Sequence, residues 1–134
     1  MTPHGTRYAA LGVLAKTVDD SAVLPAGLRE LVKLRCSQLN GCTFCVRLHS
    51  ALAGETGERL ENLASWRTHP DFTGRERAAF AVAEVVTLVR DGQVPQSVLD
   101  DARREFGEKG VADLLWTAVV ANAFNRLAIS TRLG

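Results

Sequence analysis

Two cysteines and a histidine lie close together in residues 40–49, which read NGCTFCVRLH. Cys42 and Cys45 are three residues apart and His49 follows Cys45 by four, so on a helix all three lie along one stripe. Side chains at these spacings have Cβ atoms roughly 5–6 Å apart. That separation permits a disulfide after local adjustment, and it permits the imidazole to take a proton from Cys45. The segment is therefore predicted to be a reactive thiol site.

The position of the two cysteines favours the thiolate form. Asn40 and Gly41 both tolerate the left-handed conformation that ends a helix, so a new helix is expected to start at about Cys42. Both cysteines then lie in its first turn, where unpaired N–H groups and the helix dipole stabilise a thiolate. The helix start favours Cys42 as the nucleophile and the spacing to His49 favours Cys45, so these patterns leave the choice open.

Glu30 is the candidate partner of His49. The helices on either side of the Asn40-Gly41 turn should pack antiparallel, and reflection about the turn places residue 30 opposite residue 51, within one turn of His49. A carboxylate there would hold the imidazole in one tautomer and stabilise its protonated form. The spacing thus predicts a relay of Glu30, His49 and Cys45.

Two other uses of these residues remain open. Structural zinc needs four ligands and usually two cysteine pairs, so with one pair present Glu30 would have to be the fourth ligand. Cysteine is also often a small buried hydrophobic residue. That is the interpretation of Cys36, which lies about 240° around the helix from Glu30.

Composition excludes several classes of function. The 134 residues, 46% hydrophobic and 23% charged, predict one domain spanning residues 1–134. The net charge of +1 gives no field that would recruit nucleic acid or anionic lipid. A membrane span is not expected, and Lys16 and Asp19 follow the N-terminal apolar patch where an export signal would have a cleavage site. Three cysteines without an export signal indicate a reducing compartment, the cytoplasm.

Helical spacing and the placement of Gly and Pro predict an all-α fold. Seven helices are expected, at about residues 5–18, 25–40, 42–54, 57–66, 74–90, 95–106 and 111–133. The second and third form the helix-turn-helix that carries the cysteine pair. Two stretches, AAFAVAEVVTLV and LLWTAVVANAF, are apolar on nearly every side, which favours a homo-oligomer interface.

Polar residues inside these apolar helices need partners. Asn122 and Asn125 are expected to form hydrogen bonds with a neighbouring helix. Glu84 is expected to pair with Arg126 or another basic residue, or to face the stripe of Cys42, Cys45 and His49.

The string Glu30-x11-Cys42-x2-Cys45-x3-His49 resembles the active-site motif of the alkylhydroperoxidase D (AhpD)-like proteins of the carboxymuconolactone decarboxylase family. The similarity extends through GETGERLENLASWR, FTGRERAAFAVAE and NAFNRLAI, and so covers roughly residues 10–132. The resemblance implies an AhpD-like helical bundle of about six to seven helices. It also implies assembly into trimers or hexamers and thiol-dependent peroxidase activity in antioxidant defence.

The resemblance assigns roles to four residues. Cys45 would attack the hydroperoxide, Cys42 would resolve the product as a disulfide, and His49 and Glu30 would form the proton relay. An external dithiol or a protein disulfide reductant would restore the thiols, and no flavin, haem or metal cofactor is required. The dedicated peroxidase of the family has a second histidine where this chain has Phe44. The alternatives are a lactone decarboxylase that uses His49 as acid and base, and a zinc-binding or redox-sensing module.

Overall fold

Six α-helices form the part of the chain that this computed structural model describes, residues 5–21 and 23–133. They are α1 (Thr6–Asp19), α2 (Ala26–Asn40), α3 (Thr43–Leu52), α4 (Gly57–Asn62), α5 (Gly74–Leu88) and α6 (Gln96–Ser130). Short 3₁₀ turns follow α4 at Leu63–Ser65 and α5 at Arg90–Gly92. Within the described residues no strand occurs, and the predicted all-α class is confirmed.

The turn between α2 and α3 places the cysteine pair at a helix start. Gly41 ends α2 in the left-handed conformation, with φ 71° and ψ 28°, which glycine adopts without steric cost. The N–H of Cys42 then donates to the carbonyl of Ser37, 3.0 Å away. Cys42 is the N-cap of α3, and its Sγ accepts a hydrogen bond from the N–H of Cys45 at 3.4 Å. The predicted helix start at about Cys42 is confirmed.

The break predicted between the last two helices lies within α6, at Gly107. Gly107 alone leaves the helical conformation, with φ 73° and ψ 178°. The division predicted near this glycine is therefore present, as a kink between two helical segments.

Helices α2, α5 and α6 pack against one another and enclose the core. The largest fully buried side chains come mainly from these helices: Phe80, Leu31, Leu34, Leu63 and Leu114. Helix α1 packs on α6 and contributes no fully buried residue. Because α1 lies outside the core, it forms an outer wall over α6.

The two apolar stretches differ in burial. On α5, Phe80, Val82 and Ala83 are fully buried, whereas on α6 Trp116 is 50% and Val119 48% exposed. An apolar surface on α6 is thus exposed to solvent in the isolated chain. None of the helices in the described ranges has the length and apolar character needed to cross a membrane.

A polar network fastens α2 to α6. Asn40 Nδ2 donates to Asn122 Oδ1 at 2.8 Å and to Asn125 Oδ1 at 2.9 Å. Asn125 Nδ2 donates to Ser37 Oγ and Asn122 Nδ2 to Thr87 Oγ1, both at 2.9 Å. The predicted polar contacts between helices are confirmed, and they hold the end of α2 directly before the cysteine turn.

Glu84 pairs with two basic residues other than Arg126, so the predicted alternative of another basic partner is confirmed. It accepts hydrogen bonds from Trp66 Nε1 at 2.7 Å, Arg35 Nε at 3.2 Å and Arg67 Nη2 at 3.1 Å. Burial raises the pKa of Glu84, but these hydrogen bonds and the charge of Arg35 hold it below its ordinary value. Arg126 instead donates to Asn122, so of the predicted partners the Arg126 pairing is wrong.

Candidate active site

Cys42 and Cys45 form a disulfide at the start of α3, with Cα atoms 5.3 Å apart. Both residues are almost fully buried, at 2% and 4% exposure. Ala128 of α6 packs against them, and Phe44 and Leu133 cover the same cluster. The sulfur atoms therefore lie in an apolar environment at the junction of α3 and α6.

Glu30 and His49 are in direct contact across the α2–α3 pair. Glu30 Oε2 lies 2.8 Å from His49 Nδ1, and the two side chains are only 12% and 13% exposed. An ionised carboxylate only accepts hydrogen bonds, so the proton of the pair lies on Nδ1. The neutral imidazole then presents Nε2 as an acceptor. The contact between Glu30 and His49 predicted from the antiparallel packing of α2 and α3 is therefore present.

The other oxygen of Glu30 belongs to a chain of charges that reaches α1. Lys33 Nζ lies 3.2 Å from Glu30 Oε1 and 2.9 Å from Asp19 Oδ2. Arg29 Nε lies 3.1 Å from the second oxygen of Asp19. Burial raises the pKa of Glu30, but the hydrogen bond from His49 and the positive charge of Lys33 outweigh it and hold that pKa below its ordinary value. Glu30 is therefore ionised at neutral pH.

A cavity of about 180 Å³ opens beside the disulfide, between α1, α3 and α6. Cys45 and His49 line it, and the lining includes neither Cys42 nor Glu30. Phe44, which directly precedes Cys45, also lines the wall. Most of the remaining wall is apolar: Tyr8, Leu48, Val120, Phe124 and Leu127. The cavity thus offers a mostly apolar space that both Cys45 and His49 line.

Cys36 lies apart from this group. It is fully buried, with Sγ 4.0 Å from the carbonyl oxygen of Ala83, and burial raises the pKa of its thiol to about 11. A thiol in that state is unreactive at neutral pH, which agrees with its interpretation as a packing residue. In the part of the chain that the structure describes, no group of three or more His, Cys, Asp or Glu side chains has an arrangement that could hold a metal ion.

Sequence reasoning missed three members of the charge network, Lys33, Asp19 and Arg29. Lys33 is three residues after Glu30 on α2, and this spacing is a usable signal for an ion pair on one helix face. Asp19 ends α1 and reaches the site only through the packing of that helix. Nothing in the local pattern indicates its position, because its partners lie on α2.

Comparison with known proteins places this geometry among related chains. The model of the carboxymuconolactone decarboxylase family matches residues 8–85. The uncharacterized protein YdfG of Bacillus subtilis is 34% identical over 105 residues, which cover 76% of this chain and 71% of that protein.

Two solved structures share the fold. The first is an Agrobacterium tumefaciens protein of unknown function that is proposed to be the antioxidant defence protein AhpD. It has a TM-score of 0.90 at 26% identity, with 100% of this chain and 97% of that chain covered. The second is the debrominase Bmp8, with a TM-score of 0.78 at 18% identity, 93% of this chain and 68% of that chain covered. At that identity the likeness to the debrominase concerns the fold alone.

Proposed function

Because the chain belongs to the carboxymuconolactone decarboxylase family and has an AhpD-like fold, we propose that it is a thiol-dependent peroxidase. It would reduce hydroperoxides through Cys42 and Cys45 in antioxidant defence in the cytoplasm. One observation supports this most: Cys45 and His49 line the same cavity, whereas the disulfide partner Cys42 does not. A substrate in the cavity would therefore contact Cys45, while Cys42, which is bonded to Cys45, lies outside the cavity wall.

The first step uses the thiol that faces the cavity. The Cys45 thiolate attacks the distal oxygen of the hydroperoxide, a sulfur–oxygen bond forms, and the oxygen–oxygen bond breaks. The leaving alkoxide takes a proton and departs as an alcohol. His49 supplies this proton. Glu30 occupies Nδ1 of the imidazole, so Nε2 is the nitrogen that exchanges protons with the thiol and the substrate. Sulfur is oxidised by two electrons to a sulfenic acid and the peroxide is reduced by two.

The second step closes the disulfide. The Cys42 thiol attacks the Cys45 sulfenic acid, and water leaves as the sulfur–sulfur bond forms. Cys42 already lies within reach, because the N-cap and N3 positions of α3 bring the two sulfurs together. An external dithiol, either a small molecule or a protein disulfide reductant, then restores both thiols by exchange and leaves as a disulfide.

The shape of the cavity indicates the kind of hydroperoxide. Its wall is mostly apolar and includes the rings of Tyr8, Phe44 and Phe124. Apolar walls favour a hydroperoxide with a hydrocarbon substituent over hydrogen peroxide, because burial of that substituent stabilises the complex. The debrominase has the same fold, so the fold by itself does not name the substrate.

A homo-oligomer, a trimer or hexamer, is part of the proposal. Trp116, Val119 and Leu127 of α6 are exposed in the single chain at 50%, 48% and 37%. Trp116 and Val119 lie one turn apart on α6, and exposed large apolar side chains this close together mark an interaction site.

Thiol counting before and after peroxide tests the proposed cycle. The reduced native protein should lose two thiols per chain with one equivalent of cumene hydroperoxide, and a dithiol should restore both. Cys45→Ser should consume no peroxide. Cys42→Ser should accumulate a sulfenic acid that dimedone traps. Cys36→Ala is the matched control and should behave as the wild type, since the Cys36 thiol is buried and its pKa is raised to about 11. Peroxide consumption by Cys45→Ser at the wild-type rate would overturn the proposal.

A further inference from the structure

Lys33 contacts the carboxylate oxygen of Glu30 that His49 does not contact. Its Nζ lies 3.2 Å from Glu30 Oε1, while His49 Nδ1 lies 2.8 Å from Oε2. The same ammonium group lies 2.9 Å from Asp19 at the end of α1, and the Lys33 side chain is 12% exposed. One largely buried carboxylate is thus bound at one oxygen by an ammonium group and at the other by an imidazole.

The two partners of Glu30 differ in how constant their charge is. His49 gains and loses a proton when it serves the thiol and the leaving group, so its attraction for the carboxylate changes within each cycle. Lys33 takes no part in this proton transfer, and its ammonium group lies between the carboxylates of Glu30 and Asp19. Without this cation, one of the two groups that oppose the desolvation of the Glu30 carboxylate would be missing, and the pKa of Glu30 would rise. A protonated Glu30 would no longer hold the imidazole with Nε2 ready to accept.

We propose that Lys33 is a positioning residue of this site. It keeps Glu30 ionised and oriented toward His49, and through Glu30 it sets the lowest pH at which Cys45 reacts. The inference rests on the proposed function, in which His49 serves Cys45. Lys33 acts through Glu30 and is not assigned any contact with substrate.

The other charged groups around Glu30 and His49 do not replace Lys33. On α1, Asp19 and Tyr8 line the cavity, and on α3 Cys45 and His49 line it. The charge of Arg29 is directed to Asp19, 3.1 Å away. Helix α6 lines the cavity with residues that do not titrate: Thr117, Val120, Ala121, Phe124, Leu127 and Ala128. Among the described residues, Lys33 is the one lysine or arginine in the cavity wall.

The ionisation of Glu30 is measured directly by ¹³C NMR of its side-chain carboxyl group in the disulfide form, with the signal assigned by Glu30→Gln. In Lys33→Met the carboxyl should titrate at higher pH than in the wild type, whereas Lys33→Arg should restore the wild-type curve. Lys16→Met is the matched control, since Lys16 pairs with Asp20 at 2.8 Å on the exposed side of α1. Its curve should be unchanged. An unshifted Glu30 titration in Lys33→Met would overturn the inference.

The reactivity of Cys45 is measured by iodoacetamide alkylation as a function of pH in a reduced Cys42→Ser protein. Lys33→Met should slow alkylation about tenfold on the acid limb of the profile, because an opposite charge at this separation changes an ionisation equilibrium by about that factor. With Glu30→Gln already present, Lys33→Met should add nothing. An equal slowing in that background would mean that Lys33 acts on the thiol directly, and it would overturn the inference.

The two measurements separate this inference from the proposed function. The carboxyl titration and the alkylation profile involve no peroxide, so they stand or fall independently of peroxidase activity. Loss of thiols on peroxide treatment together with an unshifted Glu30 titration would support the peroxidase and would refute the role of Lys33. A shifted Glu30 titration without any peroxide-dependent loss of thiols would support the effect of Lys33 on Glu30 and would refute the peroxidase function.

Discussion

Removal of the Asn125 side chain should weaken the junction between α2 and α6 at the cysteine turn. Asn125 is 1% exposed; its Nδ2 donates to Ser37 Oγ and its Oδ1 accepts from Asn40 Nδ2, each at 2.9 Å. Ser37 also supplies the carbonyl that accepts from the N–H of Cys42. Asn125→Ala therefore acts two contacts away from the disulfide.

The expected cost follows from these contacts. Two net hydrogen bonds contribute about 1 kcal/mol each, and the space left by the buried amide costs roughly another 1 kcal/mol. The partners are not fully orphaned, because Ser37 Oγ still donates to the Lys33 carbonyl at 2.8 Å and Asn40 still donates to Asn122. Asn125→Ala should thus lower the free energy of unfolding by about 3 kcal/mol.

Urea denaturation followed by circular dichroism measures this loss, at one fixed protein concentration because assembly would couple to folding. Asn62→Ala is the matched control, since the Asn62 side chain caps no helix. Its effect should stay within about 0.5 kcal/mol. A loss below about 1 kcal/mol for Asn125→Ala would refute the reasoning, because it would mean that this network contributes no more than a single exposed hydrogen bond.

Two further substitutions test the packing around α6. Thr117 is 1% exposed and its hydroxyl has no hydrogen-bond partner among the described residues, so Thr117→Val should raise the free energy of unfolding by about 1 kcal/mol. If urea denaturation gives a lower free energy of unfolding instead, the Thr117 hydroxyl has a hydrogen-bond partner. A methyl group at Gly110 would overlap Phe106 Cβ and lie 3.2 Å from Val23, so Gly110→Ala should cost about 1–3 kcal/mol. Gly12→Ala, with open space around it on α1, is its control, and equal melting temperatures for the two variants would contradict this account.

Much of the site could be predicted from the sequence because its geometry is local. On one helix, spacings of three and four residues fix the angle between side chains, so Cys42, Cys45 and His49 share a stripe whatever surrounds them. The tight Asn40-Gly41 turn makes α3 pack antiparallel to α2, and this packing brings Glu30 to His49. These relations hold within a single hairpin.

Other features could not be predicted because they depend on how helices rotate against one another. Glu84 lies in an apolar run that gives no indication of Trp66 or Arg35 as its partners. The pattern places a break near Gly107 and the structure has a kink there, but the direction of the second segment depends on its packing against α2 and α5.

The sequence by itself determined the all-α class, the hairpin and the stripe of reactive groups on it, since periodicity and turn residues act over a few residues of chain. Tertiary structure alone decided that Cys45 faces the cavity while Cys42 does not, and that Asp19 on α1 reaches Lys33. Periodicity fixes where a side chain lies around its own helix. The position and rotation of the neighbouring helix follow from packing of the whole core, and those decide which sulfur a substrate meets.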